Sequence, residues 1–359
     1  MNILGIETSC DETSVAVIEA ADDAFAVRAN VVSSQIATHA PFGGVVPMLA
    51  ARDHAVNIGH VFDTALKEAD ISSPASEIDR IAVTHGPGLG PALLVGLTFA
   101  RALAQRWNLL IVGVNHMDGH IHSNWLPAEN GSPALSDYSL FPALNLLVSG
   151  GHTELVLMRT HGDYKRIGET LDDAVGEAFD KVARLLGLSY PGGPALSTLA
   201  NEGDPATYEL PRPLLSAPHF DFSYSGLKTA VLYLIRDLTD GNSRPLTGPE
   251  RANIAASFQR VAVDVLVRKA ERAAQTYGAK SILLSGGVSA NTLLRERMQA
   301  AARGLGIAYH QPELRWPGDN AAMIAAAGYF QKRSFSAQSN AVAPSWKDIG
   351  MDANLCLGT

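Results

Sequence analysis

Short apolar runs that end in polar or glycine-rich turns recur along the chain and predict its strands. Residues 3–6 and 15–18 are apolar and flank a polar turn at 7–13, which predicts a β-hairpin. The same arrangement returns at residues 144–157, around a glycine-containing turn at 149–153. Strand and helix patterns follow each hairpin. Such a duplication is typical of a fold with two pseudo-symmetric lobes around a nucleotide-binding cleft.

The rest of the chain alternates between strand and helix patterns. The predicted strands are 25–32, 80–83, 109–114, 281–284 and 307–309, and the predicted helices are 46–67, 92–107, 172–187, 227–238, 250–277, one that opens near residue 290, and 321–329. This alternation indicates an α/β protein. Residues 123–142 are polar and interrupted by prolines, so we predict a surface loop and a lobe boundary there.

The composition agrees with a two-lobed globular protein. At 359 residues the chain exceeds the usual size of one hydrophobic core, and 47% of its residues are hydrophobic. Cys10 and Cys356 provide no framework for a disulfide-stapled secreted fold and favour a reducing cytoplasm. The N-terminus lacks the pattern of a signal peptide. The longest apolar stretch, residues 91–104, contains Arg101 and is too short to span a membrane.

The chain is acidic, with a net charge of −8. Unaided, nonspecific binding to nucleic acid requires clustered lysine and arginine that displace counterions. Any polynucleotide substrate of this chain would therefore require local basic patches or a basic partner.

Two histidines follow the predicted strand at 109–114 and form a candidate metal site. His116 and His120 are four residues apart, so on a helix they lie on one face and could bind a single ion. The carboxyl end of a strand is where open α/β sheets bind their ligands. The alternative is a pair of helix-surface histidines with no joint role. Asp319, just before the helix predicted at 321–329, could be a further oxygen ligand or only a helix cap.

The polar and glycine-rich turns are candidate phosphate sites. The turn at 7–13 can offer backbone N–H groups to a phosphate, and Asp11 could hold a cation, a water molecule or a reacting amine. Gly150 and Gly151 leave the amides of their turn open to a phosphate. Ordinary hairpin turns remain the alternative for both segments.

Three later positions could also contact a nucleotide. Asp180 lies in the middle of a predicted helix and faces either a ligand or solvent. The turn at 190–194 could reach a ribose or a phosphate. Asn291 follows a strand and the glycine pair at 286–287, where a helix begins, and its amide could bond a ribose or a base.

Taken together, these motifs resemble the TsaD family, the bacterial tRNA N6-adenosine threonylcarbamoyltransferases once described as glycoproteases. The segments that carry the resemblance are 5–13, 116–120, 147–153, 176–181, 190–194, 222–228 and 285–291. The likeness runs in matching order from the first residues to about Gly328.

The resemblance implies a fold and its boundaries. The fold is α/β, of the two-lobed actin-like ATPase and sugar-kinase (ASKHA) type, with duplicated hairpin-containing lobes around a central cleft. We expect an N-terminal lobe at 1–142 that carries the histidine pair and a C-terminal lobe at 143–330 with the nucleotide-binding turns. A tail at 331–359 is expected to pack back on the N-terminal lobe.

The resemblance also implies roles for individual residues. His116, His120 and Asp319 would hold one divalent ion, with Fe²⁺ preferred and Zn²⁺ as the alternative. Asp11 would lie beside the reacting groups as the catalytic residue. The residues expected to contact the threonylcarbamoyl-adenylate are Leu147, Val148, Ser149, Gly150, Gly151, Asp180, Gly193 and Asn291.

The implied reaction transfers the threonylcarbamoyl group from its adenylate to N6 of adenosine 37 in tRNAs that read ANN codons, and releases AMP. The family implies partners besides tRNA and threonylcarbamoyl-AMP: a degenerate TsaB-like paralogue and a TsaE-like P-loop ATPase. The expected location is the cytoplasm, without membrane attachment.

Three other functions were weighed against this one. A zinc metalloprotease of the H-E-x-x-H type requires Glu directly after the first histidine, where this chain has Met117. A sugar or acetate kinase of the same fold would also contain the glycine-rich turns. The histidine pair favours the transferase, because such kinases use Mg²⁺ held by carboxylates and phosphates. A non-catalytic paralogue is disfavoured because His116, His120 and Asp319 are all present.

Overall fold

The computed structural model describes residues 1–129, 131–241, 243–316, 318–337 and 346–358, with 332–337 described by their backbone. The chain divides into two compact units. Unit 1 comprises Met1–Ser139, Arg159–Tyr164 and Pro312–Thr359, and unit 2 comprises Leu140–Met158 and Lys165–Gln311.

Groups of strands and helices follow one another along the chain, as expected for an α/β protein, although the strand at Asp163–Glu169 and the helix at Gly192–Ala200 were not predicted. The strands are β1 (Asn2–Glu7), β2 (Glu12–Ala21), β3 (Ala24–Ser34), β4 (Arg80–Gly86), β5 (Leu110–Asn115), β6 (Ala143–Val148), β7 (Thr153–Thr160), β8 (Asp163–Glu169), β9 (Ser281–Ser285) and β10 (Ala308–His310). The helices are α1 (Ile36–His39), α2 (Pro47–Glu68), α3 (Pro74–Glu77), α4 (Gly90–Trp107), α5 (His116–His122), α6 (Val175–Leu185), α7 (Gly192–Ala200), α8 (Ser225–Leu238), α9 (Gly248–Tyr277), α10 (Thr292–Leu305) and α11 (Ala321–Ala337).

The two sheets have the same topology. The first has the order β3-β2-β1-β4-β5, with β1 antiparallel to β2 and parallel to β4. The second has the order β8-β7-β6-β9-β10, with β6 antiparallel to β7 and parallel to β9. The duplication predicted from the two hairpins is therefore confirmed.

One face of the first sheet packs against α2 and α4. Alternate side chains of a strand point to opposite faces, so the continuous apolar runs of β1 and β2 bury one set of side chains here and the other set on the opposite face. The first set and its helical partners include Leu4, Ile6, Val15, Val17, Ile58, Val61, Leu97 and Ala100. Burial of each large aliphatic side chain contributes about 1.5–3 kcal/mol, so this face contributes substantially to the stability of unit 1.

Helix α11 packs against the strands of the first sheet on the other side of β1, at very short range. A Cβ atom added to Gly5 would lie 2.1 Å from the backbone oxygen of Ala321, and one added to Gly328 would lie 2.5 Å from the Cβ of Ala82. The guanidinium of Arg80 donates a hydrogen bond to the Gly328 carbonyl oxygen at 2.8 Å. Glycine at these positions therefore sets how closely α11 approaches the sheet.

The unit boundaries differ from the predicted lobes. The first break follows Ser139 rather than residue 142, and residues 312–330 belong to unit 1 rather than to the C-terminal lobe. The reason is the packing of α11 on β1 and β4. The predicted tail also contains residues 338–345 and 359, which lie outside the described residues, whereas 346–358 belong to unit 1.

Two local predictions need correction. The segment 123–142 is not simply a surface loop, because Trp125, Leu126 and Leu135 are buried. Helix α6 begins at Val175, three residues after the predicted start, because the Asp172 carboxylate accepts hydrogen bonds from the amides of Tyr224 and Ser225 at 2.7 and 3.1 Å.

We predict that Gly5→Ala destabilises the protein by about 1–3 kcal/mol, because the added methyl group overlaps the α11 backbone and forces that helix to move. The matched control is Gly59→Ala in α2, where an added Cβ has nothing within 4 Å. That change should leave stability equal or higher, because alanine favours a helix over glycine by about 1 kcal/mol. Denaturant unfolding of both variants provides the measurement, and equal midpoints would contradict the packing argument.

Candidate active site

The two histidines lie on a short helix that directly follows strand β5 in unit 1. Strand β5 ends at Asn115, and α5 begins at the next residue, His116. The Asn115 side chain accepts a hydrogen bond from the Met117 amide at 2.9 Å and so caps the helix. His116 and His120 therefore lie on one face of α5, as their spacing predicts, and both are buried.

The histidines and Asp319 converge on one point. The Nε2 atoms of His116 and His120 lie 3.5 and 3.2 Å from the same carboxylate oxygen of Asp319. The candidate ligand atoms of the three residues are all within 4.8 Å of one another. Ligands around a tetrahedral zinc ion at 2.0–2.1 Å are about 3.3 Å apart. The separations thus have the scale of a coordination shell.

The bonding of His120 supports a metal at this point. Its side chain is 1% exposed, and apart from the 3.2 Å contact of Nε2 with Asp319 neither ring nitrogen forms a hydrogen bond with the described part of the chain. A buried polar atom without a hydrogen bond costs about 1–3 kcal/mol. A metal ion bound by Nε2 would satisfy that atom, so the residues present fit a divalent cation.

Asp319 is a candidate ligand rather than a helix cap. The neighbouring Asn320 provides the cap, because its Oδ1 accepts a hydrogen bond from the Met323 amide at 3.1 Å. The Asn320 amide also donates to the carbonyl oxygens of Trp316 and Gly318 at 3.2 and 2.8 Å, and so orders the turn that carries Asp319. The Asp319 carboxylate is left to face the histidines.

Glu7 completes the cluster and was not singled out from the sequence. It is the last residue of β1, it is fully buried, and its Oε2 lies 3.1 Å from Nδ1 of His116. The Ser9 hydroxyl lies 3.2 Å from the same nitrogen. A carboxylate against the second ring nitrogen orients a metal-binding histidine and raises its basicity. The available signal was an acidic residue at the end of an apolar strand.

The charges of this cluster stabilise one another. Burial alone would raise the pKa of Glu7 and of Asp319, but the neighbouring His116 reverses this and holds the pKa of both carboxyl groups below the usual range. Burial alone would lower the pKa of His116, yet Asp319 and Glu7 raise it well above its ordinary value. A buried cation is thus favoured between two carboxylates, and a divalent metal is such a cation.

Asp11 lies in the turn between β1 and β2, four residues after Glu7. The turn is fixed on the β1 side, because Ser9 donates its amide to Glu7 at 2.5 Å and its carbonyl oxygen accepts from Leu89 at 2.8 Å. Asp11 is 8% exposed. The next residue, Glu12, has its pKa raised to about 10 by burial and by the charges of Asp319 and Asp11. Glu12 beside Asp11 is thus a second acidic group that the sequence prediction missed.

The predicted adenylate residues all belong to unit 2. Leu147 and Val148 are buried in β6, and Ser149, Gly150 and Gly151 form the turn that follows. A Cβ added to Gly176 would lie 2.5 Å from the Ser149 carbonyl oxygen, and one added to Gly286 would lie 2.3 Å from that of Val148. These two glycines therefore let the start of α6 and the end of β9 pack closely on the turn. Cβ atoms added to Gly150 and Gly151 would meet nothing within 4 Å among the described residues, so this turn presents open backbone.

Asp180 and Gly193 contact each other directly. The Asp180 Oδ1 accepts hydrogen bonds from the amides of Gly192 and Gly193 at 2.9 and 3.0 Å. Burial raises the pKa of Asp180, although these amides act in the opposite direction. The side chain thus holds the turn at the start of α7 rather than facing solvent.

Asn291 has a structural role that accounts for its position. Its Oδ1 accepts from the Leu294 amide at 3.0 Å and caps α10. Its Nδ2 donates to the Ser197 hydroxyl at 3.0 Å and to Gln259 Oε1 at 2.8 Å. A cavity of about 290 Å³ in unit 2 is lined by Asn291, Ser197 and Gln259 together with further residues of α7, α9 and α10.

Comparison with known proteins identifies the family. The TsaD profile, described as tRNA N6-adenosine threonylcarbamoyltransferase, matches residues 26–326. The chain belongs to the TsaD family. A protein of Thermomicrobium roseum named tRNA N6-adenosine threonylcarbamoyltransferase is 48% identical over 347 residues, 92% of each chain. One of the same name from Bacillus cereus is 50% identical over 327 residues, 91% of this chain and 90% of that one.

A solved structure confirms the fold. T. kodakarensis HypF matches 97% of this chain with a TM-score of 0.59 at 14% sequence identity, and the chain spans about half of HypF, 49% of its length. The α/β fold is of the duplicated actin-like ATPase and sugar-kinase type, as predicted. The family assignment also favours the transferase over a kinase of this fold. In the part of the chain that the structure describes, helices with the length and apolarity of a membrane span are absent.

We predict that Glu7→Gln lowers the affinity for Zn²⁺ about 10- to 100-fold, because the carboxylate that orients His116 and raises its basicity is lost. Competition with a chromophoric chelator measures this affinity without reference to activity. Glu68→Gln, at an exposed carboxylate at the end of α2, is the matched control and should bind Zn²⁺ like the unmodified protein. Equal affinity of the Glu7→Gln variant and its control would show that Glu7 does not support the site.

Proposed function

We propose that this chain transfers the threonylcarbamoyl group from threonylcarbamoyl-AMP to N6 of adenosine 37 in tRNAs that read ANN codons, with release of AMP. The observation that carries the proposal is the convergence of His116, His120 and Asp319 in a member of the TsaD family. The geometry supports a site built for a metal, and the family membership supports the reaction.

The reaction is an attack by a weak nucleophile on a mixed anhydride. N6 of the adenosine forms a bond to the carbamoyl carbon, the bond from that carbon to the AMP phosphate oxygen breaks, and AMP leaves. N6 must lose a proton in the process. The Asp11 carboxylate orients the amine and accepts this proton, because Asp11 lies in an ordered turn two residues from Ser9, which contacts His116.

The proposed role of unit 2 is to hold the AMP portion. Gly150 and Gly151 offer open backbone to the phosphate, and Ser149 orders their turn by accepting a hydrogen bond from the His152 amide at 3.1 Å. The hydrophobic residues Leu147 and Val148 fix the strand end that carries the turn. Asp180 fixes Gly193, and Asn291 fixes the start of α10. Rate enhancement from such fixed groups comes from positioning.

The metal ligands we propose are His116, His120 and Asp319, with Fe²⁺ as the favoured ion and Zn²⁺ as the alternative. Two histidines and one carboxylate form the facial set that leaves positions open and that Fe²⁺ commonly occupies in proteins. When bound, the ion supplies a Lewis acid and a template for substrate oxygens. Glu7 keeps the His116 ring oriented for this task.

We further propose that the chain works with partners in the cytoplasm. A protein with a net charge of −8 requires additional basic surface to hold tRNA. A degenerate TsaB-like paralogue and a TsaE-like P-loop ATPase are the expected companions. A separate enzyme must supply the adenylate.

The proposed reaction gives a direct test. Protein, partner subunits, threonylcarbamoyl-AMP and unmodified tRNA should yield threonylcarbamoyladenosine, detected by mass spectrometry of the digested tRNA. His116→Ala should lose metal and lower the rate at least about 100-fold, because a ligand is removed. Full activity of the wild-type protein after complete metal removal would refute the role of the metal centre.

A glycine variant tests the adenylate-binding turn. We expect Gly151→Ala to keep wild-type stability, because an added Cβ meets nothing within 4 Å, and to weaken AMP binding about tenfold by blocking backbone approach. Calorimetric titration with AMP measures the affinity. Gly304→Ala, in α10 and equally open, is the control that should bind AMP normally. Unchanged AMP affinity in Gly151→Ala would remove this turn from the proposed site.

A further inference from the structure

A buried histidine of α2 contacts both flanks of the turn that carries Asp11. His54 is fully buried, and its Nε2 lies 3.0 Å from the carbonyl oxygen of Cys10. Its Nδ1 lies 2.7 Å from the Thr13 hydroxyl. Cys10 precedes Asp11 and Thr13 follows it by two residues, so one imidazole ring spans the turn across Asp11.

A second residue, Gln35, contacts the same ring with its side chain and the backbone of Asp11 with its amide. Gln35 donates its backbone amide to the Asp11 carbonyl oxygen at 2.9 Å, and its Nε2 lies 3.2 Å from Nδ1 of His54. Its Nε2 also donates to the Ala50 carbonyl oxygen at 3.3 Å. Its Oε1 lies 3.1 Å from Nε2 of His39. The turn is therefore joined to α1 and α2 by a buried network.

Backbone atoms fix where the protons of this network are. The Cys10 carbonyl oxygen can only accept, so Nε2 of His54 carries a proton and its Nδ1 is the acceptor for Thr13 and Gln35. The Val46 amide donates to Nδ1 of His39 at 3.3 Å, so Nε2 of His39 carries a proton and donates to Gln35. One neutral arrangement is compatible with every contact, with the single lone pair of His54 Nδ1 shared between the close Thr13 hydroxyl and the more distant Gln35 amide. Burial lowers the pKa of His54, which agrees with a neutral ring.

We propose that His54 is a positioning residue for the transfer reaction: it holds Cys10 and Thr13 and thereby sets the place of the Asp11 carboxylate. The proposal rests on the proposed function of Asp11. Both ring nitrogens of His54 are engaged by these contacts, so His54 acts through Asp11 and not on the substrate. A fully satisfied buried network specifies one conformation, and an error of about 1 Å in a catalytic group can lower the rate about 100-fold.

Three substitutions separate the contacts of His54. His54→Phe fills the space without either ring nitrogen. His54→Asn keeps an acceptor near Nδ1 but cannot reach Cys10, and His54→Gln places an amide near Nε2 but removes the acceptor for Thr13. His60→Phe is the matched control, because His60 is exposed on the same helix.

Two readouts test the proposal. Amide hydrogen exchange of residues 8–14 should be about tenfold faster in His54→Phe than in His60→Phe, because the turn loses its anchors. In the transfer assay kcat should fall about 10- to 100-fold in His54→Phe, with KM for tRNA unchanged. His54→Asn and His54→Gln should show intermediate losses. On an Asp11→Ala background, His54→Phe should cause no further loss of kcat, because both residues act in one unit.

The outcomes are distinguishable. Additive losses of kcat in His54→Phe and Asp11→Ala, or wild-type exchange in residues 8–14, would overturn the positioning role. If His54→Phe does not fold, the Asn and Gln variants decide by the same readouts. If the wild-type protein makes no modified nucleoside, the proposed function fails, and the exchange measurement still decides whether His54 anchors the turn.

Discussion

The close packing of α11 on β1 and β4 is the constraint on which the candidate metal centre depends. Because Gly5 and Gly328 have no side chains, α11 can lie directly against the sheet. Gly119 of α5 likewise allows α11 to pack closely on α5, since an added Cβ would lie 2.6 Å from Ile324. The helix therefore begins next to the histidines. Asp319, two residues before the helix, reaches them only because this approach is so short. Three glycines far apart in the sequence thus determine how close Asp319 comes to the two histidines.

Electrostatics explains why such a cluster belongs in a functional site rather than in an ordinary core. Burying carboxylates without compensation is costly, and replacing a buried ion pair by apolar residues is often neutral or stabilising. Glu7 and His116 are buried and the Asp319 side chain is only 22% exposed, yet apart from its 3.2 Å contact with Asp319 His120 has no hydrogen bond in the part of the chain described. The stability of the folded protein therefore does not explain why these charged and polar side chains are clustered in its interior. A bound cation satisfies the remaining nitrogen and the carboxylates together.

Local patterns predicted much of the fold and the shared face of the two histidines, whereas long-range packing did not follow from them. The apolar runs that flank the turns at 7–13 and 149–153 predicted both hairpins, and the four-residue spacing predicted the shared face of His116 and His120. The placement of Asp319 within unit 1 was missed, because the packing of α11 depends on contacts between glycines and distant strands. Glu7 and His54 were missed for the same reason. The roles of this strand-end carboxylate and this helical histidine are set by contact partners more than 40 residues away in the sequence. The helix start at Val175 was misplaced because the bonds of Asp172 to 223–225 override the local pattern.

The central claim is that one metal ion is bound by two imidazoles and one carboxylate in unit 1. Anomalous X-ray diffraction from crystals loaded with Fe²⁺ or Zn²⁺, recorded at the absorption edge of the metal, tests it most directly. The account predicts one strong peak about 2.0–2.2 Å from Nε2 of His116, Nε2 of His120 and a carboxylate oxygen of Asp319. A fully loaded crystal whose anomalous peak lies away from these three side chains would contradict it.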